Sequence, residues 1–313
     1  MPHFVTFTPN PALDLSTSVD QLVDAHKMRC EAPQTHPGGG GINVARVLHR
    51  LGADVQAIFP AGGPTGDRLH RLLRNEGVPD LMLAIAGETR ESFNVHERQS
   101  GHEYRFVLPG PTLSQTEWEA GLACLQQLSP APAWVISSGS LPPGVPTDGH
   151  ARIARVARGI GARTVVDSSG PALAAALQAG VWLVKPSLRE LSELSGMALD
   201  SPAMQQAAAR RLIEGGQAQV VALSLGGAGA MLITANQSLQ ADALDVPVVS
   251  SVGAGDSFLA ALVWALDRQA DLADALATAM AAGAAAVMAS GTGLCQPQDM
   301  ERLRALVRVR TAT

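Results

Sequence analysis

Short runs of β-branched residues alternate with longer amphipathic runs along most of the chain. The short runs predict strands at residues 4–8, 55–60, 134–137, 164–167, 182–184, 220–224 and 231–234. The amphipathic runs predict helices at residues 42–51, 66–75, 116–128, 149–158, 172–179, 188–194, 202–214, 257–267, 272–289 and 297–309. Strands that alternate with helices form a mostly parallel sheet covered by helices on both faces. The chain is therefore predicted to have an α/β fold.

Two polar, extended segments at residues 16–35 and 89–108 interrupt this alternation. In the second, Ser100 and Gly101 predict a hairpin turn between strands at 93–98 and 103–108. These segments predict a small β-sheet that stands off a core made of residues 1–15, 36–88 and 109–313. Such a sheet would close over a site as a lid or pair with a second copy of itself.

The composition limits what the protein can bind and where it works. The 313 residues are 46% hydrophobic and 16% charged, enough for a large buried core. The net charge of −5 and the lack of a basic run argue against nucleic acid and acidic membranes as partners. Cys30, Cys124 and Cys295 form no CxxC pair, and the N-terminus has no signal-peptide pattern. We therefore expect a soluble, cytoplasmic protein.

Gly253, Ala254, Gly255 and Asp256 lie between a β-like run and an alanine-rich helix. Amides at the start of a helix bind anions, and glycine lets a phosphate approach the backbone closely. Asp256 would then accept a proton from a hydroxyl group, because a carboxylate repels phosphate. An N-capping Asp256 after a tight turn explains the same residues. This stretch alone leaves both interpretations open.

Two further stretches precede predicted helices or follow predicted strands. Four glycines, 38–41, lead into the helix that carries Asn43, which favours backbone contact with a ligand over a flexible loop. Asp14 follows the first strand, at the sheet edge where open α/β folds bind ligands, although a turn would explain it equally well. The chain has neither a Walker A sequence nor a GxGxxG turn after its first strand.

Three other places could contact phosphates, two through charged residues and one through a glycine turn. Lys185 follows a strand, and Glu190 could hold magnesium or form a capping box with Ser187. The turn from Ser224 to Gly229 suits either nucleotide phosphates or an ordinary hairpin. Arg90 and Arg105 lie on the predicted lid, where they could bind a phosphate monoester or simply be solvated.

The order of these stretches is more informative than any one of them. NPALD, PGGGGINVAR, GSLPPG, VDSSG, LVKP, SLG and VGAGDS follow one another from end to end of the chain. This series resembles that of the ribokinase-like (pfkB-type) carbohydrate kinases. The resemblance implies a three-layer α/β/α domain with a β-sheet lid that forms a homodimer clasp.

The resemblance also implies a role for each matching residue. It makes Asp256 the general base and the amides of Gly253, Ala254 and Gly255 the anion hole. Residues that would hold the sugar phosphate are Asp14, Gly39, Gly40, Asn43, Arg90, Arg105, Ser140 and Lys27. Residues that would contact ATP are Lys185, Ser187, Ser224, Gly226, Gly227 and Gly229. Glu190 would organise Mg²⁺, and a K⁺ ion would lie near Ser250, Val252, Ala286, Gly291 and Gly293.

Departures from the family pattern bear on the substrate. Gly40 stands where relatives acting on fructose 1-phosphate or tagatose 6-phosphate carry lysine, which favours fructose 6-phosphate phosphorylated at its 1-hydroxyl. Ser187 replaces the usual asparagine near magnesium, and Arg189 replaces a lysine of a regulatory ATP site. The alternatives are a tagatose-6-phosphate kinase, a 1-phosphofructokinase and a non-catalytic sugar-phosphate sensor. A nicotinamide dehydrogenase is disfavoured, because the dinucleotide fingerprint is missing.

Overall fold

The computed structural model describes residues 2–312, which form two β-sheets. Within these residues the large sheet has ten strands in the order β14-β13-β12-β11-β10-β9-β8-β1-β4-β5. Its strands are β1 (Phe4–Phe7), β4 (Val55–Ala61), β5 (Asp80–Ala84), β8 (Trp134–Ser138), β9 (Arg163–Asp167), β10 (Val181–Val184), β11 (Ala218–Ser224), β12 (Ala230–Ile233), β13 (Ser238–Ala241) and β14 (Val309–Thr311). In this spatial order, neighbouring strands from β11 across to β5 at the far edge are parallel. The strands β12, β13 and β14 extend the other edge with antiparallel pairing.

Ten helices within the described part of the chain pack against this sheet. They are α1 (Gly40–Arg50), α2 (Gly63–Asn75), α3 (Gln115–Gln126), α4 (Gly149–Gly159), α5 (Gly170–Ala179), α6 (Leu188–Ser195), α7 (Pro202–Glu214), α8 (Ala254–Asp267), α9 (Leu272–Val287) and α10 (Pro297–Arg304). None of these helices has both the length and the hydropathy that a membrane span needs.

Successive residues of a strand point to opposite faces, and both faces of the large sheet are buried under helices. Phe4 packs in a cluster with residues of α1, α2, α8, α9 and α10 on one face. Val5, the next residue, packs with residues of α3 and α4 on the other. A third cluster, around Val166 and Val184, buries α5, α6 and α7. The predicted α/β class is confirmed, with the sheet between two helical layers.

The second sheet, which we call the small sheet, has the strand order β3-β2-β6-β7. Its strands are β2 (Ala12–Val19), β3 (Gln34–Gly38), β6 (Arg90–Glu97) and β7 (Glu103–Val107). β2 and β6 are parallel, and β6 and β7 form the predicted antiparallel hairpin. β2 begins at Ala12, so Asp14 lies inside a strand and not in a turn.

The structure corrects the sequence prediction at the C-terminus and at two sheet strands. The last helix, predicted to reach residue 309, ends at Arg304, because Val309–Thr311 pairs with β13 at the sheet edge. The strands β5 and β13 were not predicted, since they are short and polar at one end. Gly226–Ala228 forms a single 3₁₀ turn between the antiparallel β11 and β12, as the hairpin interpretation expects.

Arg46 on α1 joins four parts of the chain, although its side chain is only 1% exposed. Its guanidinium donates to Glu76 at 2.6 and 2.9 Å in a bidentate pair. It also donates to the carbonyl oxygens of Pro37 and Thr292 and, at 3.4 Å, to Asn43 Oδ1. A buried charge needs such partners, because desolvation costs several kcal/mol without them (about 3–5 kcal/mol when one partner is removed).

Candidate active site

A cavity of about 390 Å³ lies between the small sheet and the carboxyl ends of β1, β8, β9 and β10. Ligands of open α/β folds bind at this edge, outside the carboxyl ends of parallel strands. Predicted site residues that line the cavity are Asp14, Gly39, Gly40, Asn43, Arg90, Arg105, Ser140, Lys185, Glu190, Gly253, Gly255 and Asp256. The structure thus brings together residues that are up to 242 positions apart (Asp14 to Asp256).

Gly253 is the N-cap of α8, with a left-handed φ of 77°. The left-handed backbone favours glycine, and a β-carbon there would lie 2.3 Å from Leu294 Cδ2, so that the leucine side chain would have to move. Asp256 is inside the first helical turn and no side chain caps the helix, so the N-capping interpretation of Asp256 is wrong. The unpaired amides of this first turn face the cavity end of the helix, where the helix dipole attracts anions.

The Asp256 carboxylate is held by one direct hydrogen bond, from Asn43 Nδ2 at 2.9 Å. Burial raises its pKa, and the bond from Asn43 and the charges of Lys185 and Arg105 lower it again in part. The pKa of Asp256 remains above its ordinary value. Its proton affinity is therefore greater than that of a solvated aspartate, which suits a group that accepts a proton from an alcohol.

Lys185 lies opposite the Gly253–Asp256 turn. Its Nζ is 3.1 Å from Asp167 Oδ1, and a β-carbon on Gly255 would lie 3.5 Å from that same Nζ. Burial raises the pKa of Asp167 to about 6, even though the lysine charge lowers it. An ammonium group and a row of helix amides thus face each other across the space where Gly255 has no side chain.

Asp14 and two arginines occupy the small-sheet side of the cavity. Burial raises the pKa of Asp14, with an opposing hydrogen bond from Thr292 and the charges of Arg105 and Arg90. The Arg90 guanidinium donates to the carbonyl oxygens of Asn10, Pro11 and Leu108. The side chain of Arg105 forms no hydrogen bond within residues 2–312, and it lines the cavity. Arg105 is therefore the better placed of the two to bind an incoming anion.

Glu190 and Ser187 form the reciprocal capping box that their spacing allowed. Glu190 Oε2 accepts from the Ser187 amide at 2.7 Å, and the Ser187 hydroxyl accepts from the Glu190 amide at 3.3 Å. Glu190 also lines the cavity, so capping and a further role are compatible. Ser187 does not line it, and the contact of Ser187 with a nucleotide stays a prediction.

A second cavity of about 420 Å³ adjoins the first and shares Gly255 and Ser251 with it. Ser224, Gly226, Gly227, Gly229 and Ala254 line it, together with apolar residues that include Val246, Phe258 and Met280. Its apolar walls suit a flat ring system. Its position next to the helix amides suits a ligand with a polar chain that continues into the first cavity.

The remaining predicted residues lie elsewhere or are already engaged. Lys27 is exposed in the connection between β2 and β3 and lines neither cavity. The Ser250 hydroxyl donates to Glu103 at 2.7 Å. The Gly293 carbonyl oxygen accepts from Arg50 at 2.7 Å. The monovalent-cation site near these residues stays a prediction.

Several cavity residues were not assigned a role from the sequence. Asp167 ends β9 and is followed by Ser168 and Ser169, and Ser138 ends β8. VDSSG contributed to the family resemblance, and the position of its aspartate at a strand end is the signal that would have identified Asp167. No sequence pattern marks Ser138. Its hydroxyl group lies close to Gly40, where a β-carbon would come within 2.2 Å of Ser138 Oγ.

The arrangement fits the transfer of a phosphoryl group to an alcohol. Such a reaction needs amides and cations around the moving group and a base for the hydroxyl, with little covalent chemistry from the protein. The cavity places helix amides, Lys185 and the Asp256 carboxylate around one space. The fold and this site define a phosphotransferase that acts on an alcohol.

Comparison with known proteins agrees with that class. The sequence profile described as "pfkB family carbohydrate kinase" matches residues 10–299. The chain therefore belongs to the pfkB family of carbohydrate kinases, and its expected ribokinase-like fold is confirmed.

Relatives and solved structures match over nearly the whole chain. ATP-dependent 6-phosphofructokinase isozyme 2 of Mycobacterium tuberculosis H37Rv is 46% identical over 301 residues, which cover 96% of this chain and 88% of the relative. Phosphofructokinase-2 from Escherichia coli in complex with fructose-6-phosphate has a TM-score of 0.91 at 39% identity and covers 98% of this chain and 99% of its own. The same enzyme in complex with potassium has a TM-score of 0.92 at 40% identity, with the same coverage.

The raised pKa of Asp256 predicts a specific stability effect. The folded state binds this proton more tightly than the unfolded chain does, so the stability from Asp256 is present at low pH and is lost as the pH rises through the raised pKa. We therefore expect Asp256→Asn to raise Tm by about 2–4 °C at pH 8. The gain should shrink toward pH 5. Thermal melts across this pH range measure it.

Asp67→Asn, which changes an exposed carboxylate on α2, is the matched control and should leave Tm unchanged at both pH values. A Tm of Asp256→Asn below that of the parent protein at pH 8 would contradict the interpretation. It would mean that the carboxylate stabilises the first turn of α8 by more than its burial costs.

Proposed function

We propose that the protein is an ATP-dependent kinase that phosphorylates the 1-hydroxyl of fructose 6-phosphate and releases fructose 1,6-bisphosphate. The observation that carries this proposal is the placement of the Asp256 carboxylate beside the first amides of α8 and opposite Lys185. The relatives described above are 6-phosphofructokinases, and the E. coli enzyme binds fructose-6-phosphate in its crystal structure.

In this proposal, the sugar lies under the small sheet with its 1-hydroxyl directed at Asp256. The hydroxyl proton moves to the Asp256 carboxylate as the oxygen forms a bond to the γ-phosphorus of ATP. The bond between that phosphorus and the β–γ bridging oxygen breaks, and ADP leaves. The amides of Gly253, Ala254 and Gly255 and the Lys185 ammonium stabilise the negative charge on the transferring group.

The sugar-binding roles follow from the side of the cavity that each residue occupies. Asp14 accepts hydrogen bonds from hydroxyl groups of the sugar. Its carboxylate lies against Gly38, where a β-carbon would come within 2.1 Å of Asp14 Oδ2. Arg105 binds the 6-phosphate. Arg90 supports this end of the cavity through its carbonyl contacts. Gly39, Gly40, Asn43 and Ser140 complete the sugar side.

ATP fits the two adjoining cavities, with the base in the apolar second cavity and the phosphates near Gly255. The ATP-binding roles of Ser224, Gly226, Gly227 and Gly229 rest on their position in that second cavity. Mg²⁺ in kinases keeps several waters and uses one or two carboxylates together with the phosphates. Asp167 and Glu190 both line the first cavity, and Glu190 Oε1 is not used by the capping box. These residues fit Mg²⁺, which would neutralise phosphate charge.

A K⁺ ion would lie near Ser250, Val252, Ala286, Gly291 and Gly293, and a similar phosphofructokinase-2 from E. coli binds potassium in its crystal structure. The Gly293 carbonyl oxygen also accepts a hydrogen bond from Arg50. We place the enzyme in the cytoplasm, because Cys30, Cys124 and Cys295 are free thiols, as expected in a reducing compartment.

The substrate is tested by ADP release with Mg-ATP and a panel of sugars. We expect the largest kcat/KM with fructose 6-phosphate, ahead of fructose 1-phosphate, tagatose 6-phosphate and fructose. Asp256→Asn should lower kcat by about two orders of magnitude or more, because a general base typically contributes that much. A preference for another sugar would overturn the substrate, and near-parental turnover of Asp256→Asn would overturn the base.

Arg105→Ala tests the phosphate contact. We expect KM for fructose 6-phosphate to rise about tenfold or more, because a charged hydrogen bond contributes about 1.5–3 kcal/mol. KM for ATP should change little. Arg98→Ala is the control, since Arg98 pairs with Asp20 and Glu31 on the small sheet and does not line the cavity. Equal changes in both KM values would contradict the assignment.

We further propose that the small sheet is a lid and that its outer face is the homodimer contact. Phe93 and Phe106 are directly opposed on β6 and β7, and Tyr104 lies beside them on the same face. Their exposed fractions are 36%, 51% and 37%, in the order Phe93, Phe106, Tyr104. An apolar patch of this kind marks a protein contact.

Sedimentation of Phe106→Glu tests the dimer. We expect the parent protein to sediment as a dimer and Phe106→Glu as a monomer, because a carboxylate would be buried at the contact. Leu306→Glu is the matched control, since Leu306 is 57% exposed and lies outside the small sheet. A dimeric Phe106→Glu, or a monomeric parent protein, would exclude this face as the contact.

A further inference from the structure

Glu103, the first residue of β7, connects the small sheet to the loop in front of α8. Its Oε1 accepts from Ser250 Oγ at 2.7 Å and from Asn94 Nδ2 at 2.6 Å. Its Oε2 accepts from the Ser251 amide at 3.2 Å and from Ser251 Oγ at 3.1 Å. Both carboxylate oxygens are therefore used, and three of the four donors belong to the core.

These hydrogen bonds join the outer edge of the small sheet to the core. β7 is an edge strand, bonded on one side only, to β6. Within residues 2–312, no other side chain of β7 hydrogen-bonds to the core. Burial by itself would raise the pKa of Glu103, but the bonds from Ser250, Ser251 and Asn94 lower it overall.

The two ends of this contact lead directly to opposite sides of the active site. On β7, Arg105 is two residues beyond Glu103 and so lies on the same face of the sheet, where it lines the cavity. On the core side, Ser250 Oγ also accepts from the Val252 amide at 3.2 Å, and Gly253 follows as the N-cap of α8. One carboxylate therefore fixes the distance between the arginine and the turn that carries Asp256.

We propose that Glu103 is a positioning residue, which holds Arg105 and the Gly253–Asp256 turn at the separation that the substrate requires. This inference rests on the proposed function for its kinetic effect but not for its structural effect. Displacement of a reacting group by about 1 Å can cost about 100-fold in rate. A single contact that controls two halves of the site should therefore affect catalysis more than stability.

The kinetic test compares Glu103→Ala with Glu103→Gln, using the sugar phosphate that the parent protein turns over fastest. We expect Glu103→Ala to lower kcat/KM by about 10- to 100-fold, with KM for the sugar phosphate rising more than KM for ATP. Glu103→Gln keeps Oε1 as an acceptor for Ser250 and Asn94, and it should recover most of the loss. Glu91→Ala, which removes a carboxylate of β6 outside the cavity, should retain parental kinetics.

A second variant pair tests the partner of the contact. If Glu103 acts through its hydrogen bonds to Ser250 and Ser251, Ser251→Ala should lower kcat/KM in the parent protein. It should then have little further effect in Glu103→Ala. Independent, multiplicative losses would contradict the proposed route. Parental kinetics in Glu103→Ala would overturn the proposal outright.

Hydrogen–deuterium exchange on the substrate-free protein separates this proposal from the proposed function. We expect Glu103→Ala to speed exchange in peptides covering residues 103–108 and 250–256 while peptides of the large sheet stay unchanged. Glu91→Ala should not change either region. Unchanged exchange in Glu103→Ala would refute the contact as a constraint, whichever sugar the enzyme prefers. If the parent protein does not phosphorylate fructose 6-phosphate but Glu103→Ala still exchanges faster in these two regions, only the proposed substrate is refuted.

Discussion

The buried guanidinium of Arg46 is the constraint around which this site is assembled. Its bidentate pair with Glu76 allows a charge to remain inside the protein, and its other donors reach Pro37, Asn43 and Thr292. Through Asn43 the chain of contacts continues to Asp256. Because a buried charge tolerates few alternative arrangements, these separate segments are held in one geometry.

The cavity gathers carboxylates that lose hydration there and repel one another. Burial raises the pKa of Asp14, Asp167 and Asp256, and the charges of Lys185 and Arg105 offset the rise only in part. Such a site is unfavourable for folding and favourable for chemistry, since it provides a base with raised proton affinity next to amides that bind an anion. The large dry core around β1, β8 and β9 supplies the stability that the site lacks.

Much of the architecture was predictable because it rests on local patterns. All seven predicted strands and ten predicted helices are present, although the last helix ends at Arg304 and not at residue 309. The strands β13 and β14 at the sheet edge were not predicted. They form by pairing with each other, and local residue patterns do not show which distant segments will pair. In the site, the glycine turns were visible as motifs. The carbonyl contacts of Arg90 and Arg50 were not, because they join residues distant in sequence.

The stretch Gly253-Ala254-Gly255-Asp256, which the sequence left open between an anion site and an N-cap, separates local from tertiary information. The sequence alone determined a glycine turn, a helix after it and a carboxylate at their junction, because backbone freedom and helix periodicity are local properties. Only the tertiary structure decided that Gly253 is the N-cap and that Asp256 accepts a hydrogen bond from Asn43. It also decided that Glu103 joins the small sheet to this turn. Those outcomes depend on which surfaces pack together, and packing is fixed by the whole chain at once.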